Sequence, residues 1–266
     1  MNLEIDGSAV HAATGGVDPA GTAPTVVLVH GAGMDGTVWQ LQTRFLAYHG
    51  FRAVAVDLPG HGRSAGEPLA TVEALGAWLA RFVGALEGGP VHAVGHSLGT
   101  YAVLEAAAAG RDRFRSLVLL GTAETMPVHP ALLDAAEHDL PRAAALVAAW
   151  SHAPPAHVGP HPTPGLWMIG GARALVERSR PGVLAADLRA CASYEGAVAA
   201  AKAVELPVTV VAGRGDRMTP ARSARALAEH LTDGTLLELD GVGHSLPLEA
   251  PGAVRRVLLD AFTRAG

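Results

Sequence analysis

The 266 residues contain one cysteine, Cys191, and one lysine, Lys202. A single thiol excludes an internal disulfide and any multi-cysteine metal site, and leaves Cys191 the role of a small buried apolar group. Lysine and arginine together number 20 against 25 acidic residues, a net charge of −5, and the basic residues are scattered. No electrostatic footprint for nucleic acid follows from that balance. No run of about 18 apolar residues is present to span a membrane. The opening Met1-Asn2-Leu3-Glu4-Ile5-Asp6 lacks the basic and apolar regions of a secretory signal. These absences lead us to expect a soluble, cytoplasmic protein with no nucleic-acid or membrane partner.

What is present is apolar and evenly punctuated. Hydrophobic residues make up 49% of the chain, ample for one large core. Leu3–Asp6 and Val10–Ala13 read as an opening hairpin turned at Gly7. Thr25-Val26-Val27-Leu28-Val29 is a continuous apolar run, as expected of a strand buried on both faces of a parallel sheet. Helical spacing follows over Val38–His49, a strand over Phe51–Val56, a helix over Thr71–Leu86, and a strand over Leu117–Gly121. The rhythm resumes with strands at Val208–Gly213 and Thr235–Leu239 and helices at Ala221–Leu231 and Ala250–Arg264. Strands alternating with helices of this length predict a mostly parallel, doubly wound α/β sheet. Between Met126 and Leu206 the alternation lapses into helical pieces (Pro130–His138, Pro141–Trp150, Gly171–Ser179, Val183–Cys191) around a Pro/His-rich loop, Ser151 to Pro164. We expect a core of residues 1–125 and 206–266 with a helical cap, 126–205, inserted in it.

The stretch most informative about chemistry is Val91-His92-Ala93-Val94-Gly95-His96-Ser97-Leu98-Gly99, an apolar strand that breaks at Gly-x-Ser-x-Gly and runs into the alanine-rich segment to Ala109. A serine is a weak nucleophile at neutral pH and must be held bare, beside a base and oxyanion donors. A sharp strand-to-helix turn does this, with glycines where a Cβ would crowd the backbone. Such an elbow needs an acid and then a histidine further along the chain. Asp216 lies in Gly213-Arg214-Gly215-Asp216 and His244 in Gly241-Val242-Gly243-His244, each just past a predicted strand. Ligands of open parallel sheets bind beyond the carboxyl ends of the strands, so the three side chains are expected to converge on one edge.

Taken in order, His30-Gly31-Ala32-Gly33, Asp57-Leu58-Pro59-Gly60-His61-Gly62-Arg63-Ser64, Gly95-His96-Ser97-Leu98-Gly99, Ala212-Gly213-Arg214-Gly215-Asp216 and Gly243-His244 resemble the α/β-hydrolase superfamily from about Leu3 to the C-terminus. The resemblance implies the α/β-hydrolase fold and a serine mechanism. Ser97 would attack a carbonyl, His244 would carry its proton, and Asp216 would orient the imidazole. The N–H groups of Ala32 and Leu98 would form the oxyanion hole. Glu124 is the competitor for the acid, since some relatives place it there, whereas Asp57 is expected to tie down its own loop. His30, His61 and His96 are expected to pack and to make turn hydrogen bonds.

The elbow looks like that of carboxylesterases, methyl-ester hydrolases and thioesterases. This favours hydrolysis of a small, largely uncharged ester or thioester, with no metal or organic cofactor required. A carbon–carbon-bond hydrolase, an acyltransferase or a low-turnover ligand-binding receptor would share the same triad. Met126, Trp150, Trp167 and Met168 would line an acyl pocket or simply pack the cap. His152, His157 and His161 lie in a proline-interrupted stretch without acidic partners, which reads as a solvated loop rather than a zinc site. Apolar cap surface could pair two subunits as a homodimer or close over the pocket.

Overall fold

The computed structural model of the protein describes residues 1–16, 23–158, 163, 165 and 167–266. Among them the strands are β1 (Asn2–Ile5), β2 (Ser8–Ala13), β3 (Thr25–Val29), β4 (Arg52–Val56), β5 (Val91–His96), β6 (Phe114–Leu120), β7 (Pro207–Gly213) and β8 (Asp233–Leu239). They form one sheet in the order β1-β2-β4-β3-β5-β6-β7-β8. The β1–β2 and β2–β4 pairings are antiparallel, and the other five are parallel. This is the α/β-hydrolase architecture expected from the sequence.

Side chains alternate across the pleat and so feed two cores. Val27, Val29, Val54, Val56, Leu117 and Leu119 join one cluster, with α2 (Val72–Ala85), α3 (Leu98–Ala109) and α10 (Ala221–Ala228). Val26, Leu28, Ala53, Ala55, Val118 and Leu120 join the other, with α1 (Gln40–Tyr48) and α12 (Pro251–Arg264). Helix α2 starts where Thr71 Oγ1 accepts the Ala74 N–H at 3.2 Å, an ordinary N-cap. The expected helix over Val38–His49 is divided: Gly36–Trp39 is a 3₁₀ turn, capped by Asp35, and α1 follows it.

The chain passes from β3 to β4 on one side and then returns to place β5 on the other side of β3. Val29 lies opposite Gly95 in that parallel pair. The loops after β3 and β5 therefore leave in opposite directions and open a crevice between them, where such sheets bind ligands.

Between β6 and β7 come α4 (Pro130–His138), α5 (Leu140–Ser151), α6 (Pro154–Val158), α7 (Met168–Glu177), α8 (Val183–Ser193) and α9 (Ala197–Ala203). Leu132, Ala135, Ala143, Val147, Val176, Leu184 and Leu188 give this segment a small core of its own. Its end is rooted elsewhere, since Cys191, Tyr194 and the alanines of α9 belong to the core of the sheet. Helices α6, α9 and the four-residue α11 (Leu246–Glu249) were not anticipated. They are too short to show a helical period. No helix among the described residues is long and apolar enough to cross a membrane.

Candidate active site

Ser97 sits between the last residue of β5 and the first of α3, with φ 53° and ψ −123°. A positive φ on a non-glycine residue is strained, by about 1–3 kcal/mol, and persists only where neighbours enforce it. They do so here. Ser97 N–H donates to the Leu120 carbonyl at 3.0 Å, and the Thr100 hydroxyl donates to the Ser97 carbonyl at 2.6 Å. A Cβ on Gly95 would come within 2.5 Å of the Gly99 carbonyl oxygen, one on Gly99 would strike the Val29 carbonyl, and one on Gly31 would lie 3.0 Å from Ser97 Cβ. Leu98 is the first residue of α3, so its N–H has no acceptor within the helix.

Asp216 and His244 arrive from the loops after β7 and β8 and are both buried. His244 Nδ1 lies 2.8 Å from Asp216 Oδ2. The Asp216 carboxylate also accepts the N–H groups of Met218 and Thr219, each at 2.8 Å, and the Thr219 hydroxyl at 2.7 Å. Burial acts to raise its pKa, but the imidazole beside it and the Thr219 bonds outweigh that, holding Asp216 below the ordinary carboxylate range. His244 Nε2 and Ser97 Oγ have no hydrogen-bond partner among the described residues, and both groups' residues line one cavity.

Three further contacts hold the backbone of the His244 loop. His96 Nε2 donates to the His244 carbonyl at 2.8 Å, and full burial, with His244 nearby, pushes the His96 pKa down to about 3. The Ser151 carbonyl, at the end of α5, accepts the N–H groups of His244 and Ser245 at 2.8 and 2.9 Å. Glu249 accepts those of Gly243 and Ser245 at 3.1 Å and that of Ala153 at 2.9 Å. The competitor Glu124 instead pairs with His230, at 3.0 Å. Asp57 accepts the N–H groups of Gly36 and Arg63 at 2.7 and 2.9 Å, and so ties its own loop to the one before α1.

The cavity shared by Ser97 and His244 has a volume of about 380 Å³. Ala32 and Thr219 border it, and its apolar wall comes mainly from the inserted helices. Of the four expected wall residues, Met126 and Trp150 line it. Trp167 does not. It is 76% exposed, with its ring across Gly170 at the start of α7. Met168 is buried in the same turn but does not reach the cavity. Wall residues not foreseen include Met34, Val147, Leu184, Leu188 and Met218. Leu184 and Leu188, four apart in a predicted helix, were the one readable signal. Cys191 also lines the cavity, and burial pushes its thiol pKa far up. The stretch expected to be a solvated loop is not one: His152, just past α5, is buried with Nδ1 2.9 Å from the Ala148 carbonyl, Pro154–Val158 is helical, His157 lies 3.3 Å from the His152 carbonyl, and His161 is outside the described residues.

Residues 26–257 match the family model described as the Alpha/beta hydrolase family. The chain is 32% identical over 244 residues to a pimeloyl-[acyl-carrier protein] methyl ester esterase of Aromatoleum aromaticum, covering 86% of this chain and 94% of that one. In fold it is similar to a thermophilic esterase from Thermogutta terrifontis, with a TM-score of 0.85 at 23% identity over 100% and 99% of the two chains. It is similar in the same sense to an enol-lactonase from Burkholderia xenovorans, with a TM-score of 0.86 at 20% identity over 99% and 100%.

Proposed function

The chain belongs to the alpha/beta hydrolase family, and from that premise we propose that it cleaves a small, largely uncharged carboxylic ester or thioester through an acyl-Ser97 intermediate. It is an ester-cleaving hydrolase in the same sense as its esterase-named relative. The observation that carries the finer reading is one cavity bordered by both Ser97 and His244, with Nδ1 of that histidine held by Asp216 at 2.8 Å.

Each group's role follows from its surroundings. The Asp216 carboxylate accepts the Nδ1–H of His244, which leaves Nε2 as the lone pair that takes the Ser97 proton. Ser97 Oγ forms the bond to the substrate carbonyl carbon. The carbonyl oxygen becomes an oxyanion facing the N–H groups of Ala32 and Leu98. His244 returns the proton to the alcohol or thiol as that bond breaks. Water then attacks the acyl-serine, giving one proton to His244, and the carboxylic acid leaves as Ser97 regains it. The apolar wall suits an uncharged acyl group. On this reading residues 126–205 are a cap inserted in a core of 1–125 and 206–266, with its last part, from Cys191, packed back into that core, and the protein acts in the cytoplasm on a small molecule.

Hydrolysis of p-nitrophenyl esters from C2 to C12 tests the proposal. Ser97→Ala and His244→Ala are each expected to lower kcat by roughly a million-fold, as in other serine hydrolases. Variant turnover within tenfold of wild type would overturn it.

A further inference from the structure

Asp187 lies in α8, on the inserted segment, and is fully buried. Its Oδ2 accepts two hydrogen bonds from the sheet's edge, from the Gly33 N–H at 2.8 Å and from His61 Nε2 at 2.8 Å. Gly33 directly follows Ala32 in the loop after β3, and His61 belongs to the loop after β4. One oxygen of the insertion thus ties both loops.

The bond partners define the charge on this pair. His61 Nδ1 lies 2.9 Å from the Pro59 carbonyl. With Asp187 ionised, its carboxylate and the Pro59 carbonyl can only accept, so both ring nitrogens donate and His61 pairs with it as an imidazolium. Burial opposes that charge, but the Asp187 and Pro59 bonds prevail and raise the His61 pKa. His30, whose ring centroid is 4.9 Å away, behaves oppositely. Its Nδ1 donates to the Gly31 carbonyl at 2.9 Å and its Nε2 accepts from Leu58 N–H at 3.1 Å, so it is neutral.

Stability is a poor reason for such a pair. A buried ion pair generally adds little over packed apolar side chains, and Asp187 Oδ1 is buried with no partner among the described residues. What the pair supplies is orientation. Turning the Gly33 N–H to Asp187 fixes the peptide between Ala32 and Gly33, and with it the torsion that aims the preceding N–H. Gly33 itself is at φ +65°, and a Cβ there would lie 2.7 Å from Leu184 Cδ1, also of α8. The imidazolium matters as well, because an uncompensated carboxylate bonded to the residue after Ala32 would oppose an oxyanion developing at the Ala32 N–H.

We propose that Asp187 is a positioning residue for the oxyanion site: with His61 as its counter-charge, it holds the loop after β3 so that the Ala32 N–H faces the tetrahedral intermediate. This inference rests on the roles assigned above to Ser97 and Ala32.

The test compares Asp187→Asn and His61→Gln with wild type on p-nitrophenyl butyrate, together with inhibition by 1,1,1-trifluorooctan-2-one and by butyrate. The ketone forms an oxyanion on Ser97, whereas butyrate reports ground-state binding. Misplacing one oxyanion donor should lower kcat about 10- to 100-fold. Ketone affinity should fall by the same factor, with KM and butyrate inhibition within about threefold of wild type. If Asp187→Asn fails to fold, His61→Gln carries the same readouts. The proposal is overturned if folded variants keep wild-type kcat and ketone affinity, or if KM and butyrate binding worsen as much as kcat does. A wild type that neither turns over nor binds the ketone refutes the serine reading itself, and this proposal with it. The failure particular to Asp187 leaves wild type fully active.

Discussion

The carboxyl edge of the sheet and the helices inserted above it build the same cavity by different means. At the edge, backbone geometry decides. Ser97 is held at a positive φ by hydrogen bonds and by glycines with no room for a Cβ, and Gly121, at φ +65°, leaves only 3.0 Å between such a Cβ and the His244 ring. In the insertion, side chains decide. Val147, Trp150, Leu184 and Leu188 form the wall through helix faces that other apolar residues could fill. Substitutions at the edge should therefore change rate, and substitutions in the wall should change which substrate is preferred.

The strongest test of that contrast is the acid. Asp216→Asn keeps the shape but offers His244 the wrong hydrogen-bonding partner. It is expected to lower kcat by about 10⁴-fold with little change in KM, by analogy with the triad aspartate of serine proteases. Glu124→Gln, which affects only the contact to His230, should leave kcat within about twofold. A reversed result would move the acid to the end of β6 and break the comparison at its base.

The next effect concerns the seam between the two regions. Glu249 grips the His244 loop and Ala153 together, and burial followed by the Asp216 charge raises its pKa against the pull of its N–H donors. Asp216, with an imidazole partner, shifts the other way. A raised folded pKa means that the native state binds the proton more readily. The stability from Glu249 is therefore fully present below its unfolded value of 4.5 and is lost as pH rises through the folded one. Glu249→Gln should remove this dependence, so the melting-temperature advantage of wild type should be larger at acid pH than at alkaline pH. Because the amide turns an NH₂ toward N–H donors, kcat should also fall about tenfold. A wild-type advantage independent of pH would show that Glu249 is not buried against its charge.

How much of this was legible beforehand follows the same division. Thr25–Val29 and Leu98–Ala109 were bounded to the residue, because a fully buried strand and an alanine-rich helix after a serine elbow admit few alternatives. The order of Ser97, Asp216 and His244 past three strand ends was readable from the elbow, which calls for an acid and then a histidine further along the chain. Asp187 was not. It stands in an ordinary helical stretch, and only tertiary packing brings it to Gly33 and His61. Trp167 misled because aromatic type implies burial, whereas its position was decided by the neighbouring Gly170, which lets the ring lie across the helix start on the outside.

The two tryptophans of the insertion give the smallest and most selective effect. Trp150 lines the cavity with its ring 5.3 Å from that of His129, while Trp167 is 76% exposed. Trp150→Ala enlarges the cavity, so the preferred p-nitrophenyl ester should lengthen and KM for the wild-type optimum should rise about tenfold, the scale of one or two methylenes in an apolar pocket. Trp167→Ala removes exposed ring surface and should leave chain-length preference, KM and kcat within about twofold. If Trp167→Ala shifted the optimum instead, its ring would reach the substrate in the working enzyme, and the wall of the cavity would extend to the start of α7. Equal, unselective losses in both variants would place the two rings in packing alone, and selectivity would then reside in Leu184, Leu188 and Val147.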